Sequence, residues 1–124
     1  ETIYNARINI AENYLQLNDL FLARQEIEAV WQEIRYRHDV YAIYRFKTRA
    51  RLALARVYRE SGNHRAALRH ADGAHRAAVQ TGAVKHQALA LLLRARIIRR
   101  TQPRKAIGLL GQALGLAERM KTPS

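Results

Sequence analysis

The chain has 124 residues, of which 48% are apolar and 26% charged, and it contains no cysteine. This length favours one domain with a buried core, and the lack of cysteine excludes a disulfide scaffold, a thiolate zinc site and a cysteine nucleophile. The formal net charge of +12 is uneven, because residues 1–39 carry −3 and residues 40–124 carry +15. The apolar runs are too short to span a membrane and no signal peptide opens the chain, so we predict a cytoplasmic protein without a membrane segment.

The predicted elements are all helices. Apolar residues recur with helical spacing along the chain, and no segment alternates as a half-buried strand does. Capping and helix-breaking residues divide the chain at Asn18–Asp19, His38–Asp39, Ser61–Gly62–Asn63, Thr81–Gly82 and Thr101–Gln102–Pro103. The sequence therefore predicts six helices, at about 2–17, 20–37, 40–61, 64–81, 84–100 and 103–120.

Successive helix pairs share a pattern of small and large residues. The first pair has Ala11, Tyr14, Asn18, Ala23, Ile27 and Val30, and the second has Ala55, Tyr58, Gly62, Ala67, Ala71 and Ala74, offset by 44 residues. The third pair has Ile97, Thr101, Ala106, Leu110 and Ala113, offset by a further 39. Two helices can cross closely only over small side chains, so Ala23 and Ala67 are predicted to be buried at such crossings. Ala78 is predicted to be exposed.

The pattern resembles the tetratricopeptide repeats, best in the second unit through Leu54–Ala55, Tyr58, Gly62, Ala67–Leu68 and Ala74. The third unit departs from it at Arg94 and Thr101. The resemblance implies an all-α fold of three antiparallel helix hairpins, at about residues 4–38, 40–81 and 84–120, stacked as a right-handed α-solenoid. The long periods are similar to the C-terminal helical arrays of large bacterial signalling ATPases, nucleotide cyclases and transcriptional activators. Because the chain begins with Glu1, we expect a fragment of such a longer protein.

No set of residues predicts catalysis, a cofactor or a metal site, so we predict that this fragment is not an enzyme. The serines Ser61 and Ser124 have no triad spacing, and the glycines lack the Lys-Ser/Thr of a phosphate-binding loop. The five histidines are not spaced as ligands on one helix face. They are predicted to be solvated or to cap helices, and Trp31 is predicted to pack in the core.

Basic residues on the third predicted helix form the candidate site. Arg45, Arg49, Arg56 and Arg59 lie at intervals of 4, 7 and 3, on one stripe of the helix. In the resembled family the first helix of each hairpin lines a concave groove that binds peptides. That resemblance implies a groove lined by Asn5, Ile8, Glu12, Arg49, Leu52, Arg56, Arg59, Leu91, Ala95 and Ile98. Arginines there could bind carboxylates. The alternative is that they form the solvated side of a long helix, and that the high arginine content reflects the composition of the genome rather than a function.

The sequence thus predicts a protein–protein interaction or regulatory sensor module of a bacterial signalling protein, which binds a peptide or neighbouring domain, with an acidic partner favoured by the charge. One alternative is a basic nucleic-acid-binding helical domain, although no base-reading motif is present. Another is a homodimer formed through the last helix. There Ile107, Leu110 and Leu114 are predicted to be exposed, and Gly108, Gly111 and Gly115 are predicted to allow close approach of the fifth helix or of a following one.

Overall fold

The computed structural model describes residues 2–38 and 41–121, in which every element is an α-helix and no strand occurs. The helices are α1 (Thr2–Gln16), α2 (Leu20–Ile34), α3 (Tyr41–Glu60), α4 (His64–Thr81), α5 (Val84–Ile98) and α6 (Pro103–Lys121). The six predicted helices are confirmed, but α2 and α5 end two or three residues earlier than predicted. The predicted cap at Asp39 lies outside the described residues.

The turns after α1 and after α3 have the same geometry. Asn18 and Gly62 adopt positive φ angles of 60° and 83°. The residue that follows each of them, Asp19 or Asn63, accepts a hydrogen bond from a backbone N–H three residues later, at 3.1 or 3.2 Å. A left-handed residue followed directly by an N-cap ends one helix and starts the next. The predictions for these two turns are confirmed.

The remaining predicted breaks are confirmed with one difference. Gly82 ends α4 with a φ of 69°, and Pro103 is the first residue of α6. Thr101 is the turn position of the third unit, but it does not take the left-handed conformation of Asn18 and Gly62. Its hydroxyl instead donates a hydrogen bond to the carbonyl of Ile98 at 3.2 Å. The third unit therefore departs from the first two in backbone geometry as well as in sequence.

The third helix connects the two parts of the core. Each helix packs against the next along the chain, and α3 also contacts α1 and α5. Ile43, Phe46 and Leu54 of α3 pack in one buried cluster with α1 and α2. Leu52 and Ala55 of the same helix pack in a second cluster with α4, α5 and α6. The opposite sides of α3 are therefore both buried, which fixes the positions of its remaining side chains.

Small residues dominate the buried side of α4. Ala23 on α2 and Ala67 on α4 are both fully buried, as predicted. The prediction that Ala78 is exposed is wrong, because it is fully buried as well. It follows Ala74 by four residues and so extends the same helix face toward the core. Apart from His70, every buried residue of α4 is alanine or glycine, which lets the helix backbone approach its neighbours closely.

Both terminal helices expose apolar side chains. Ile107, Leu110 and Leu114 of α6 are exposed, as predicted. The predicted close approach to α5 at the glycines Gly108, Gly111 and Gly115 is wrong, since a Cβ at any of them would meet no atom within 4 Å. These glycines lie away from the face through which α6 packs. Ile3 and Ile10 of α1 and Leu17, directly after it, are also exposed, although the sequence did not lead us to predict this.

None of the helices in the described part of the chain has the length and apolar character that a membrane crossing requires.

Candidate binding face

The four arginines of the predicted stripe on α3 lie in different environments. Arg45 is exposed and Arg56 is half-buried, and no carboxylate of the described residues pairs with either. The other two have partners. Arg59 donates a hydrogen bond from Nη1 to Oε1 of its neighbour Glu60 at 2.8 Å. Only part of the stripe is therefore available to a binding partner.

Arg49 joins α3 to α1. Its Nη1 donates a hydrogen bond to Asn5 Oδ1 at 2.6 Å, and its Nη2 donates to Asn9 Oδ1 at 2.7 Å and to Glu12 Oε1 at 2.8 Å. Its side chain is only 18% exposed. Three of the predicted groove residues, Asn5, Glu12 and Arg49, thus do lie together, but they satisfy one another. Asn9, one turn from Asn5, was missed although the same helical spacing includes it.

The apolar residues predicted to line the groove are buried. They are Ile8, Leu52, Leu91, Ala95 and Ile98. The prediction that Ile8, Leu91, Ala95 and Ile98 face an open groove is therefore wrong. The reason is that residues 91, 95 and 98 form the most continuous apolar face of α5, and burial of that face in the core is more favourable than its exposure.

Between α3 and α5 there is an open face whose residues only partly coincide with those predicted to line the groove. A cavity of about 240 Å³ lies there. It is lined by Glu12, Leu52, Ala53, Arg56, Leu89, Leu92, Leu93 and Arg96. We call its central residues, Leu52, Arg56, Leu89, Leu92 and Arg96, the α3–α5 face. Leu89 is 40% exposed and Leu92 is half-buried, so the face presents apolar surface to solvent.

The α3–α5 face carries unneutralised positive charge. Neither Arg56 nor Arg96 pairs with a carboxylate among residues 2–38 and 41–121. Glu12 lines the same cavity but already accepts a hydrogen bond from Arg49. The face thus combines leucine side chains with two guanidinium groups. Such a surface can bury an apolar side chain and bind carboxylates at the same time.

Arg45 and Arg59 of the predicted stripe line two further cavities. Arg45 lies with Tyr44, Thr48 and His86 in a cavity of about 230 Å³. Burial lowers the pKa of His86, and the positive charges of Lys85, Arg49 and Arg45 lower it further. Arg59 lies in another cavity with Arg96, Arg99 and Arg100. The predicted stripe therefore does not form one site: Arg45, Arg56 and Arg59 line three different cavities, and Arg49 binds α1.

One histidine differs from the prediction that all five are solvated or capping. His70 is only 6% exposed. Its ring stacks on Tyr58 and meets Trp31 edge-on, with both centroid distances 5.7 Å. Burial, together with the positive charges of Arg51, Arg69 and Arg35, lowers the pKa of His70 to about 4. Its spacing from Ala67 and Ala74 could have placed it on the buried face of α4. Trp31 is buried, as predicted.

Arg94, which departs from the repeat pattern, has a structural role. Its Nε lies 2.8 Å from Asp72 Oδ1, an ion pair that joins α5 to α4. Neither atom has a hydrogen-bond partner outside this pair in the described part of the chain. In the same residues no group of three histidines or carboxylates is placed to hold a metal ion.

No protein-family model matches the chain, and comparisons with curated proteins and with solved structures give no match.

Proposed function

We propose that the chain is a tetratricopeptide-like solenoid of three helix hairpins that binds an acidic, amphipathic protein segment on the α3–α5 face. The equal turn geometry at Asn18–Asp19 and Gly62–Asn63 supports the tandem repeat. The contacts of α3 with α1 and α5, the first helices of the proposed hairpins, support their stacking. The resemblance to bacterial signalling proteins suggests a regulatory role, in which the bound segment belongs to a neighbouring domain or a partner protein.

The observation that carries this proposal is the combination of exposed leucines with unpaired arginines. Leu89 is 40% exposed, so covering its exposed part with a partner would contribute about 0.6–1.2 kcal/mol, and the half-buried Leu92 would contribute less. Arg56 and Arg96 can each donate two hydrogen bonds to a carboxylate in bidentate geometry. A helix with leucines on one side and acids beside them matches both features, and amphipathic helices bind grooves of this kind.

The charge distribution also supports nucleic-acid binding, since residues 40–124 carry +15. Guanidinium groups that already bind Asn5, Glu12 or Glu60 are less available to phosphates, however. The exposed Leu89 and the half-buried Leu92 would also gain little from contact with a phosphate backbone. Self-association through the exposed apolar side of α6 is a further alternative, and it places no demand on the α3–α5 face.

The proposal can be tested with a labelled 20-residue helical peptide that has leucines at i, i+4 and i+7 and glutamates beside them. Leu92→Ala and Arg56→Gln should each weaken its binding about fivefold to tenfold, because each removes one of the two kinds of contact. Fluorescence anisotropy measures the dissociation constants.

Two exposed residues of α6 provide matched controls for this binding experiment. Leu110→Ala and Arg104→Gln make the same substitutions away from the α3–α5 face and should leave affinity unchanged within about twofold. Equal losses in all four variants, or no loss at Leu92 and Arg56, would show that the peptide does not bind this face.

A further inference from the structure

A second basic cavity lies between α2, α3 and α4, away from the α3–α5 face. Its volume is about 550 Å³, within the range of pockets that hold small-molecule ligands. Four arginines line it: Arg35 directly after α2, Arg51 of α3, and Arg69 and Arg76 of α4. Trp31, Tyr58 and His70 line it as well. The sequence analysis did not identify this cluster, because its members come together only in the folded chain.

The four arginines of this cavity have no counter-charge. No carboxylate among the described residues pairs with any of them. Among the described residues, the one acid that lines the cavity is Glu28, which already accepts hydrogen bonds from the Tyr58 hydroxyl at 2.6 Å and from Arg24 Nε at 2.8 Å. Burial, together with the charges of Arg76, Arg35 and Arg69, lowers the pKa of Arg51. The charges of Arg35, Arg69 and Arg76 therefore act unfavourably on the Arg51 guanidinium, and an anion bound among them would offset this repulsion.

The side chain of Arg51 is held in a specific place. Its guanidinium lies 4.7 Å from the centre of the Trp31 ring, in cation–π geometry. On the other side it lies against Gly73 of α4, where an added Cβ would collide with it. A glycine inside a helix costs about 1 kcal/mol relative to alanine, so position 73 gives up helix stability and leaves room for this guanidinium.

A buried polar group of the same cavity also lacks a partner. His70 is more than nine-tenths buried, and its Nδ1 has no hydrogen-bond partner among the described residues. The ring faces near it are already covered, because Tyr58 stacks on His70 and Arg51 lies over Trp31. The cavity therefore offers charge and hydrogen-bond donors rather than a free aromatic surface for stacking.

We propose that this cavity binds a small phosphate compound with at least two negative charges, such as a pyrophosphate or a phosphate ester. Guanidinium groups bind phosphate oxygens in bidentate geometry, and several of them require a multivalent anion for neutralisation. A single carboxylate would neutralise only one of the four. This site does not overlap the α3–α5 face, so it is independent of the proposed peptide binding.

Inorganic pyrophosphate is the probe for a direct test, and Trp31 is a built-in reporter because it is the only tryptophan of the chain. At constant ionic strength, pyrophosphate should change Trp31 fluorescence and bind once per chain in calorimetry. It should bind at least about tenfold more tightly than orthophosphate, since it carries more charge. The double variant Arg69→Gln/Arg76→Gln should lose at least about tenfold in affinity; both side chains are exposed, so folding should not depend on them.

Two controls make the result specific to the cavity. Arg104→Gln/Lys105→Gln removes the same charge from exposed positions of α6 and should bind pyrophosphate as the unaltered chain does. Gly73→Ala keeps every charge but displaces Arg51, and it should weaken binding several-fold while circular dichroism stays helical. Equal affinity in the Arg69/Arg76 variant and the unaltered chain, or equal loss in the α6 control, would overturn the proposal. Peptide binding to the α3–α5 face should be unchanged in Gly73→Ala, which separates the two proposals.

Discussion

Replacing Ala67 with leucine should lower the free energy of unfolding by about 1–3 kcal/mol. Ala67 is 0% exposed and packs in a cluster with Leu52, Ala55 and Ala71. The buried side of α4 consists of alanine and glycine apart from His70, so its backbone lies close to its neighbours. Added methyl groups would find no space in such a crossing, because protein interiors are close-packed. Urea unfolding followed by circular dichroism measures the change.

A matched control separates overpacking from the general effect of a larger side chain. Ala29 lies on the exposed side of α2, where leucine meets solvent. Ala29→Leu should therefore change the unfolding free energy by less than about 0.5 kcal/mol. If Ala67→Leu is tolerated as well as Ala29→Leu, the close crossing at Ala67 is not real, and the helix-pair repeat loses its main physical support.

His70 should cause a second large effect, a loss of stability in acid. Its pKa is lowered from 6.5 to about 4, mainly by burial and then by the neighbouring Arg51, Arg69 and Arg35, while Glu28 acts in the opposite direction. Between pH 6.5 and about pH 4, His70 binds a proton in the unfolded chain but stays neutral in the folded chain. The stability contributed by the neutral ring is thus fully present above pH 6.5 and is lost as the pH falls toward about 4, up to about 3 kcal/mol.

The variant His70→Phe isolates this effect. Phenylalanine can keep the ring contacts with Tyr58 and Trp31 but cannot be protonated, and no hydrogen bond of the His70 Nδ1 is lost. The decline of unfolding free energy between pH 6.5 and 4 should become shallower than in the unaltered chain. Burial lowers the pKa of His75 and His86 too, so some decline remains. His38→Phe, at an exposed position, should keep the full decline; an unchanged decline in His70→Phe would contradict the account.

Local features of the sequence predicted the helices and their turns. A positive φ at Asn18 or Gly62 and a capping side chain at Asp19 or Asn63 depend on a few neighbouring residues, which a sequence displays directly. Burial of alanine at 23 and 67 followed from the repeated spacing of small residues. The early end of α2 at Ile34 was not predictable from the neighbouring residues, which contain neither glycine nor proline.

The side chains of the binding face were predicted less well, because their positions depend on how each helix is rotated about its axis. The family resemblance placed Leu91, Ala95 and Ile98 in the groove, whereas they are buried in the cluster that α5 forms with α3, α4 and α6, and Leu89 is exposed instead. The second basic cavity was harder still to predict, because it is formed by residues that are far apart in the sequence. Its arginines come from α3, from α4 and from the residue directly after α2, and no spacing along one helix could have brought them together.

The most direct test of the proposed function compares the salt dependence of two ligands, the leucine–glutamate peptide and a 20-base-pair DNA duplex. A duplex bound by four arginines should lose about a hundredfold in affinity between about 50 and 200 mM salt, because each phosphate contact contributes a slope of about −0.9. Peptide affinity should fall by less than about tenfold, since burial of Leu89 and Leu92 is not screened. We predict peptide binding that persists at 200 mM and duplex binding that vanishes. The account would be contradicted if the duplex bound tightly at about 200 mM salt while the peptide did not, and if Arg56→Gln abolished the duplex binding.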